Sequence, residues 1–261
     1  MIARPSTKAP DGAVLWSGPS EYDGAPIVVI ATGIRGTSSN PKTGRMIQTW
    51  ILRSDVHPVE ALQTGADRSI CGTCPHRPDA DGRRSCYVNP MGPSAIWRKY
   101  RADGYPHASL ADMCQWIEGR RIRFGAYGDP VAAPLDLWQS MAGAADGWTG
   151  YTHGWRSCDP RFRHYLMASV DHPGEASVAQ YMGWRTFRVR SASEPPMYGA
   201  ELDCPASEES GKRTTCAACG LCSGAYALRD NPPRSISIVA HGPGKRHAER
   251  RATLTIGGAA V

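Results

Sequence analysis

The chain has 261 residues, 41% hydrophobic and 21% charged, which is ordinary globular usage and excludes a disordered, collagen-like or coiled-coil protein. Thirty Lys and Arg against 24 Asp and Glu give a net charge of +6, compatible with an anionic substrate or weak nucleic-acid binding and too small to diagnose either. No apolar run approaches membrane-spanning length and the first residues are polar and Pro-rich, so a cytoplasmic protein without a membrane partner is expected.

Residues 1–26 lack periodicity and are expected to form an irregular lead-in. Two extended runs, 26–31 and 46–52, follow as a strand pair around a Gly/Ser/Asn-rich turn region at 33–45. From 54 to 93 the composition turns to Cys, Arg, Asp, Gly and Pro, which predicts a loop ordered by something other than a core. Helical pieces are expected at 94–101 and 110–117, then strands at 122–127, 148–153, 165–170, 184–189 and 235–240. Helices fall between them: apolar residues at 134, 137, 138 and 141 have helix spacing behind a leading Pro, and Gly174 to Met182 is stopped by Gly183. This alternation predicts an α/β fold, either a partial (β/α) barrel or an open parallel sheet, with two irregular cysteine-rich metal-binding insertions at 68–90 and 200–225. The domain is expected over 46–245, after a lead-in and first strand at 1–45 and before a basic tail at 246–261.

Nine cysteines in a reducing compartment point to metal or redox chemistry rather than disulfides. Cys204, then Cys216-Ala-Ala-Cys219-Gly-Leu-Cys222, puts three thiols on one tight turn and a fourth, followed by Pro205, at a distance. This is the ligand pattern of a bacterial ferredoxin-type [4Fe–4S] site. A four-cysteine zinc site has the same ligand count, although zinc ligands more often come as two separated pairs. Cys71-Gly-Thr-Cys74, with Cys86 eleven residues on, supplies three thiols only. Either His76 closes a zinc knuckle or one coordination position stays open for chemistry. Arg68, Arg77, Arg83, Arg84 and Lys99 flank this loop and would offset its negative charge. Cys114 and Cys158 stand alone and are expected to be small buried thiols.

The run from Cys71 to Arg77, Cys86-Tyr-Val-Asn89, Trp97-Arg-Lys-Tyr100, Gly150-Tyr-Thr-His153, Ala168-Ser-Val-Asp171 and Ala240-His-Gly242 resembles an uncharacterised, cysteine-rich family of phage gene products, which would place the chain in a host cytoplasm. The order of parts is also similar to radical S-adenosylmethionine (SAM) enzymes. There a three-cysteine [4Fe–4S] loop follows the first barrel strand and a Gly-Gly-Glu-Pro motif follows the second. Here Gly125-Ala-Tyr-Gly128-Asp129-Pro130 stands at the second position, Asp129 takes the place of Glu, and the cysteine spacing is Cys-x2-Cys-x11-Cys rather than Cys-x3-Cys-x2-Cys.

That resemblance implies two [4Fe–4S] clusters, S-adenosylmethionine as cofactor and a reductant protein as partner. Cys71, Cys74 and Cys86 would hold the open cluster, and Gly125, Gly128, Asp129 and Ser169 would bind the cofactor. Asp129, His153 and Asp171 would be the catalytic residues, with His241 also lining the pocket. A nucleotide or nucleic-acid-related substrate is the expectation. The alternative is a zinc- or iron–sulfur-stabilised nucleic-acid-binding or redox-sensing protein without catalysis. Histidines 57, 107, 164 and 247 are expected in surface or loop positions. No Walker, Rossmann or Gly-x-Ser-x-Gly motif supports ATP, NAD or serine-hydrolase chemistry.

Overall fold

The structure is a computed structural model that describes residues 9–36, 41–224, 234–242 and 244–247. The lead-in was expected to be irregular, yet β1 (Gly12–Pro19) is an eight-residue strand. It pairs antiparallel with β2 (Pro26–Thr32), with a bulge between Val14 and Trp16. That bulge breaks the alternation by which a strand is recognised in a sequence, so the local pattern hides the edge strand. β3 (Ile47–Arg53) pairs antiparallel with β2, as the strand pair required.

The segment after β3 is more regular than its composition suggests. α1 (Pro58–Thr64) starts with Pro at its first position and is capped by His57, whose Nδ1 accepts from the Val59 N–H at 3.3 Å. α2 (Arg68–Cys71) is a single turn, and α3 (Met91–Arg101) begins three residues before the expected helix. α4 (Leu110–Ile117) opens with a reciprocal Ser109–Asp112 capping box. β4 (Arg121–Tyr127) returns parallel to β3, and α5 (Leu135–Ala144) crosses over to β5 (Gly147–Thr149).

The expected strand over 148–153 divides at Gly150. β5 pairs with β4 and completes a five-stranded mixed sheet, β1-β2-β3-β4-β5, while β6 (Tyr151–Thr152) starts a second sheet by pairing with β7 (Met167–Val170). A side chain at Gly150 would come within 2.5 Å of Leu166 Cδ2, so the crossing point is packed too tightly for one. α6 (Pro173–Tyr181), β8 (Thr186–Arg190), β9 (Glu201–Asp203), the one-turn α7 (Cys216–Cys219) and β10 (Ser235–Val239) follow. The second sheet is parallel throughout, in the order β6-β7-β8-β10-β9. The fold is therefore α/β and open. Only its second sheet is all-parallel, and the stretch read as a second insertion supplies an edge strand, β9.

One hydrophobic core joins both sheets, running from Ile27, Ile30 and Ile51 through Phe124 and Trp138 to Leu166, Ala168 and Val170. Trp138 is fully buried, and its indole N–H donates to the Pro130 carbonyl at 2.8 Å. On the other face of the second sheet lies a smaller cluster of Met167, Ile236, Ile238, Cys204 and Cys222. A buried bidentate ion pair from Arg188 to Glu201 ties β8 to β9 across β10, with both contacts at 2.8 Å. Among the described residues no helix is long and apolar enough to cross a membrane. Of the basic tail, 248–261 lies outside the described residues.

Candidate functional site

The three-cysteine loop is held against the end of β4. Cys71 is the last residue of α2, which Gly72 ends with φ of 55°. The Asp129 N–H donates to the Ile70 carbonyl at 2.6 Å, fastening the loop to the turn that follows β4. Cys74 N–H donates to the Cys71 carbonyl, and Cys86 N–H donates to the His76 carbonyl at 3.1 Å, which folds the eleven-residue spacer back on itself. Inside the fold, fully buried Asp67 takes a bidentate pair from Arg77 at 2.7 and 2.8 Å. All nine cysteines are free.

Cys71, Cys74 and Cys86 retain some solvent contact, yet burial is the largest cause raising the pKa of each. Cys71 is raised further by the charges of Cys74, Cys86 and Asp67, and Cys74 by those of Cys86, Asp129 and Asp171. The three thiols therefore share one electrostatic neighbourhood in which ionising all of them unassisted is strongly disfavoured. Tyr127, 4% exposed, has a buried hydroxyl without a hydrogen-bond partner. Burial raises its pKa most, and the charges of Cys71, Asp67 and Cys86 add to that, so the hydroxyl lies in the same neighbourhood.

Asp129 is buried beside them. Its Oδ1 accepts from Val131 N–H at 3.1 Å, and Oδ2 accepts from the Thr152 hydroxyl and the His153 N–H, both at 2.9 Å. Burial raises its carboxyl above the ordinary range while these donors pull it down. Gly125 and Gly128 are explained by packing alone. At φ of 67° and 80°, a Cβ at Gly125 would meet the Gly128 carbonyl at 2.6 Å and one at Gly128 would meet Ile51 Cβ at 2.7 Å. Ser169 is buried in β7 on the same strand face as Met167, turned to the smaller core.

His76 does not group with the thiols. Its Nδ1 lies 2.7 Å from Ser85 Oγ and its Nε2 lies 3.0 Å from Asp171 Oδ1. The His153 ring stands edge-on to it, with centroids 5.3 Å apart. Among the described residues, His76, His153 and Asp171 form the group whose three ligand atoms all lie within 4.8 Å of one another. Neither cysteine set does so, whereas thiolates around one tetrahedral zinc would stand about 3.8 Å apart.

The four-cysteine set is assembled from separate anchors. Cys216 N–H donates to the Lys42 carbonyl at 2.8 Å, Cys204 N–H to the Ser237 carbonyl of β10 at 2.8 Å, and the Cys222 carbonyl accepts from Gly150 at 3.1 Å. Burial, with the charges of the other thiols adding to it, raises Cys204, Cys216 and Cys222, the last to about 12. Cys216 and Cys219 also line a cleft of about 610 Å³ with Arg121, Asp146 and Trp148.

No protein-family model, curated protein or solved structure matches this chain. The resemblances rest on motifs alone. Between the two cysteine sets, His241 stacks near Tyr87 at 5.7 Å, with its Nε2 3.4 Å from Lys42 Nζ. Burial, then Lys42, lowers its pKa. Tyr87 accepts a hydrogen bond from Arg123 of β4. Cys114 and Cys158, expected to be buried, are half-buried and pack against the main core. The arginines of the first loop are largely occupied: Arg77 by Asp67, Arg83 by Asp79 and Asp81, and Arg84 by the Val88 carbonyl. Tyr127 and Ser85 were not visible as site residues in the sequence, because no motif marks a residue whose role is a contact across the fold.

Proposed function

We propose that the protein is an iron–sulfur enzyme of radical-SAM-like design. Cys71, Cys74 and Cys86 would hold a [4Fe–4S] cluster with one open position, and Cys204, Cys216, Cys219 and Cys222 would hold a second, closed one. What supports this most directly is the shared, buried neighbourhood of Cys71, Cys74 and Cys86 beside the end of β4. In parallel α/β folds, chemistry collects at the C-terminal strand ends. Three thiolates packed beside Asp129 and Asp67 concentrate negative charge that burial penalises, so the site fits a cationic iron core. The buried hydroxyl of Tyr127 supplies an unused donor toward the sulfurs. Held by Cys71, Cys74 and Cys86, such a cluster would supply one electron, taken from a reductant protein, for reductive cleavage of S-adenosylmethionine.

The chain's own groups then bind and orient. A carboxylate offers about four lone-pair sites, and Asp129 has three occupied, leaving one for the ammonium group of an amino-acid cofactor or for the neighbouring Tyr22 hydroxyl. His153, whose N–H donates to Asp129, and Asp171 lie together beside this carboxylate, where a nucleotide or nucleic-acid-related substrate would meet them. Arg77 and Arg83 are paired with carboxylates, so part of the loop's positive charge is balanced within the fold, and Lys99 lies over the Tyr105 ring at 4.6 Å.

Anaerobic purification followed by iron, sulfide and zinc analysis tests the proposal. The expected content is about eight irons and eight sulfides per chain, falling by about half in Cys86→Ala and in Cys204→Ala. Zinc in place of iron would overturn it.

A further inference from the structure

We propose that His76, His153 and Asp171 hold a divalent first-row transition-metal ion of the Fe(II) or Mn(II) class, separate from either cysteine set. This does not rest on the cysteine proposal, since none of its ligands is a thiol. The three residues come from different segments: the spacer between Cys74 and Cys86, the turn after β6, and the end of β7. Their ligand atoms nevertheless all lie within 4.8 Å of one another. An ordinary His–Asp pair accounts for two of the three groups, and the His153 ring stands edge-on beside them with centroids 5.3 Å apart.

The spacing suits a metal. His76 Nε2 and Asp171 Oδ1 are 3.0 Å apart, the separation of two adjacent ligands each about 2.1 Å from one ion and about 90° apart. The outer contacts are those of a ligand set as well. Ser85, itself buried, is hydrogen-bonded to His76 Nδ1 at 2.7 Å, which fixes the ring and leaves Nε2 to face the site. In the tautomer that donates Nδ1–H to Ser85, Nε2 offers its lone pair to an ion beside the Asp171 carboxylate. The His153 backbone is held by Asp129 at 2.9 Å, and the Asp171 N–H donates to Glu175 Oε2 at 3.1 Å. Two imidazoles and one carboxylate, all half-buried, leave open positions toward solvent for a substrate oxygen or water.

Mn(II) is the probe, because its preference for nitrogen and oxygen ligands over thiolates keeps it off the cysteines. The anaerobically purified full chain is titrated while the EPR signal of free Mn(II) is followed. One Mn(II) per chain with Kd below about 100 μM is expected. His153→Ala and Asp171→Asn should weaken binding by at least about tenfold, and Ser85→Ala by about tenfold. No binding at millimolar Mn(II), or equal binding in the variants, overturns the proposal. Should the variants fail to fold, proton NMR of the unaltered protein decides. Substoichiometric Mn(II) should broaden the His76 and His153 ring signals before any other histidine's, and the opposite order overturns the site.

Discussion

Asp129 carries a charge that its surroundings only partly support. Three donors stabilise the carboxylate, yet burial is the larger influence and raises its pKa above the ordinary 3.8. A raised carboxyl contributes stability that is complete below its ordinary value and is lost as pH climbs through the raised one. Urea unfolding of the metal-free protein should therefore show stability falling as pH rises above the ordinary carboxyl value of about 4, with a shallower fall in Asp129→Asn. An identical slope in both would remove Asp129 as the cause. Asp67 is the opposite case, a buried carboxylate fully matched by Arg77. Arg77→Ala strands that charge and should cost about 3–5 kcal/mol by chemical denaturation. Arg83→Ala, whose acidic partners are exposed, should leave the midpoint unchanged. At this scale the sequence made the cysteines and Asp129 legible, because ligand spacing and a strand-end Gly-Asp-Pro are local signals. His76 was legible only as a neighbour of cysteines. Its partner Asp171 lies 95 positions away, and no local pattern reports such a contact.

Strand ends and tight turns set where these residues meet. Gly125 and Gly128, at the end of β4, are both at positive φ; the turn folds back on itself because Gly125 has no side chain to meet Gly128 and Pro130, and it approaches Ile51 because Gly128 has none. Gly128→Ala should lose about 1–3 kcal/mol, from backbone strain and the clash with Ile51 together. Gly143→Ala is the useful contrast. It lies in α5 with open space around it and should gain about 0.5–1 kcal/mol in thermal or urea unfolding. Most of the β/α alternation could be read from the sequence, including α5 behind its leading Pro134 and α6 stopped by Gly183. Three features were not. β1 is obscured by its bulge, the break at Gly150 depends on which strands flank it, and β9 is too short to carry a period.

The molecule as a whole places its two cysteine sets around one open scaffold. The main core runs through both sheets, so a single cooperative unfolding transition is expected by both far- and near-ultraviolet circular dichroism; two separated transitions would mean that the sheets fold independently. β10 leads to His241, which stacks near Tyr87 of the first loop, while β10 itself anchors Cys204 of the second set. The central claim is that Cys71, Cys74 and Cys86 leave an iron with a free position, and EPR of the dithionite-reduced protein with and without S-adenosylmethionine tests it most directly. A cluster signal that changes shape when the cofactor is added, and that disappears in Cys71→Ala while the Cys204 set keeps its own signal, is predicted. A spectrum indifferent to the cofactor, or the absence of any iron–sulfur signal, would contradict the account.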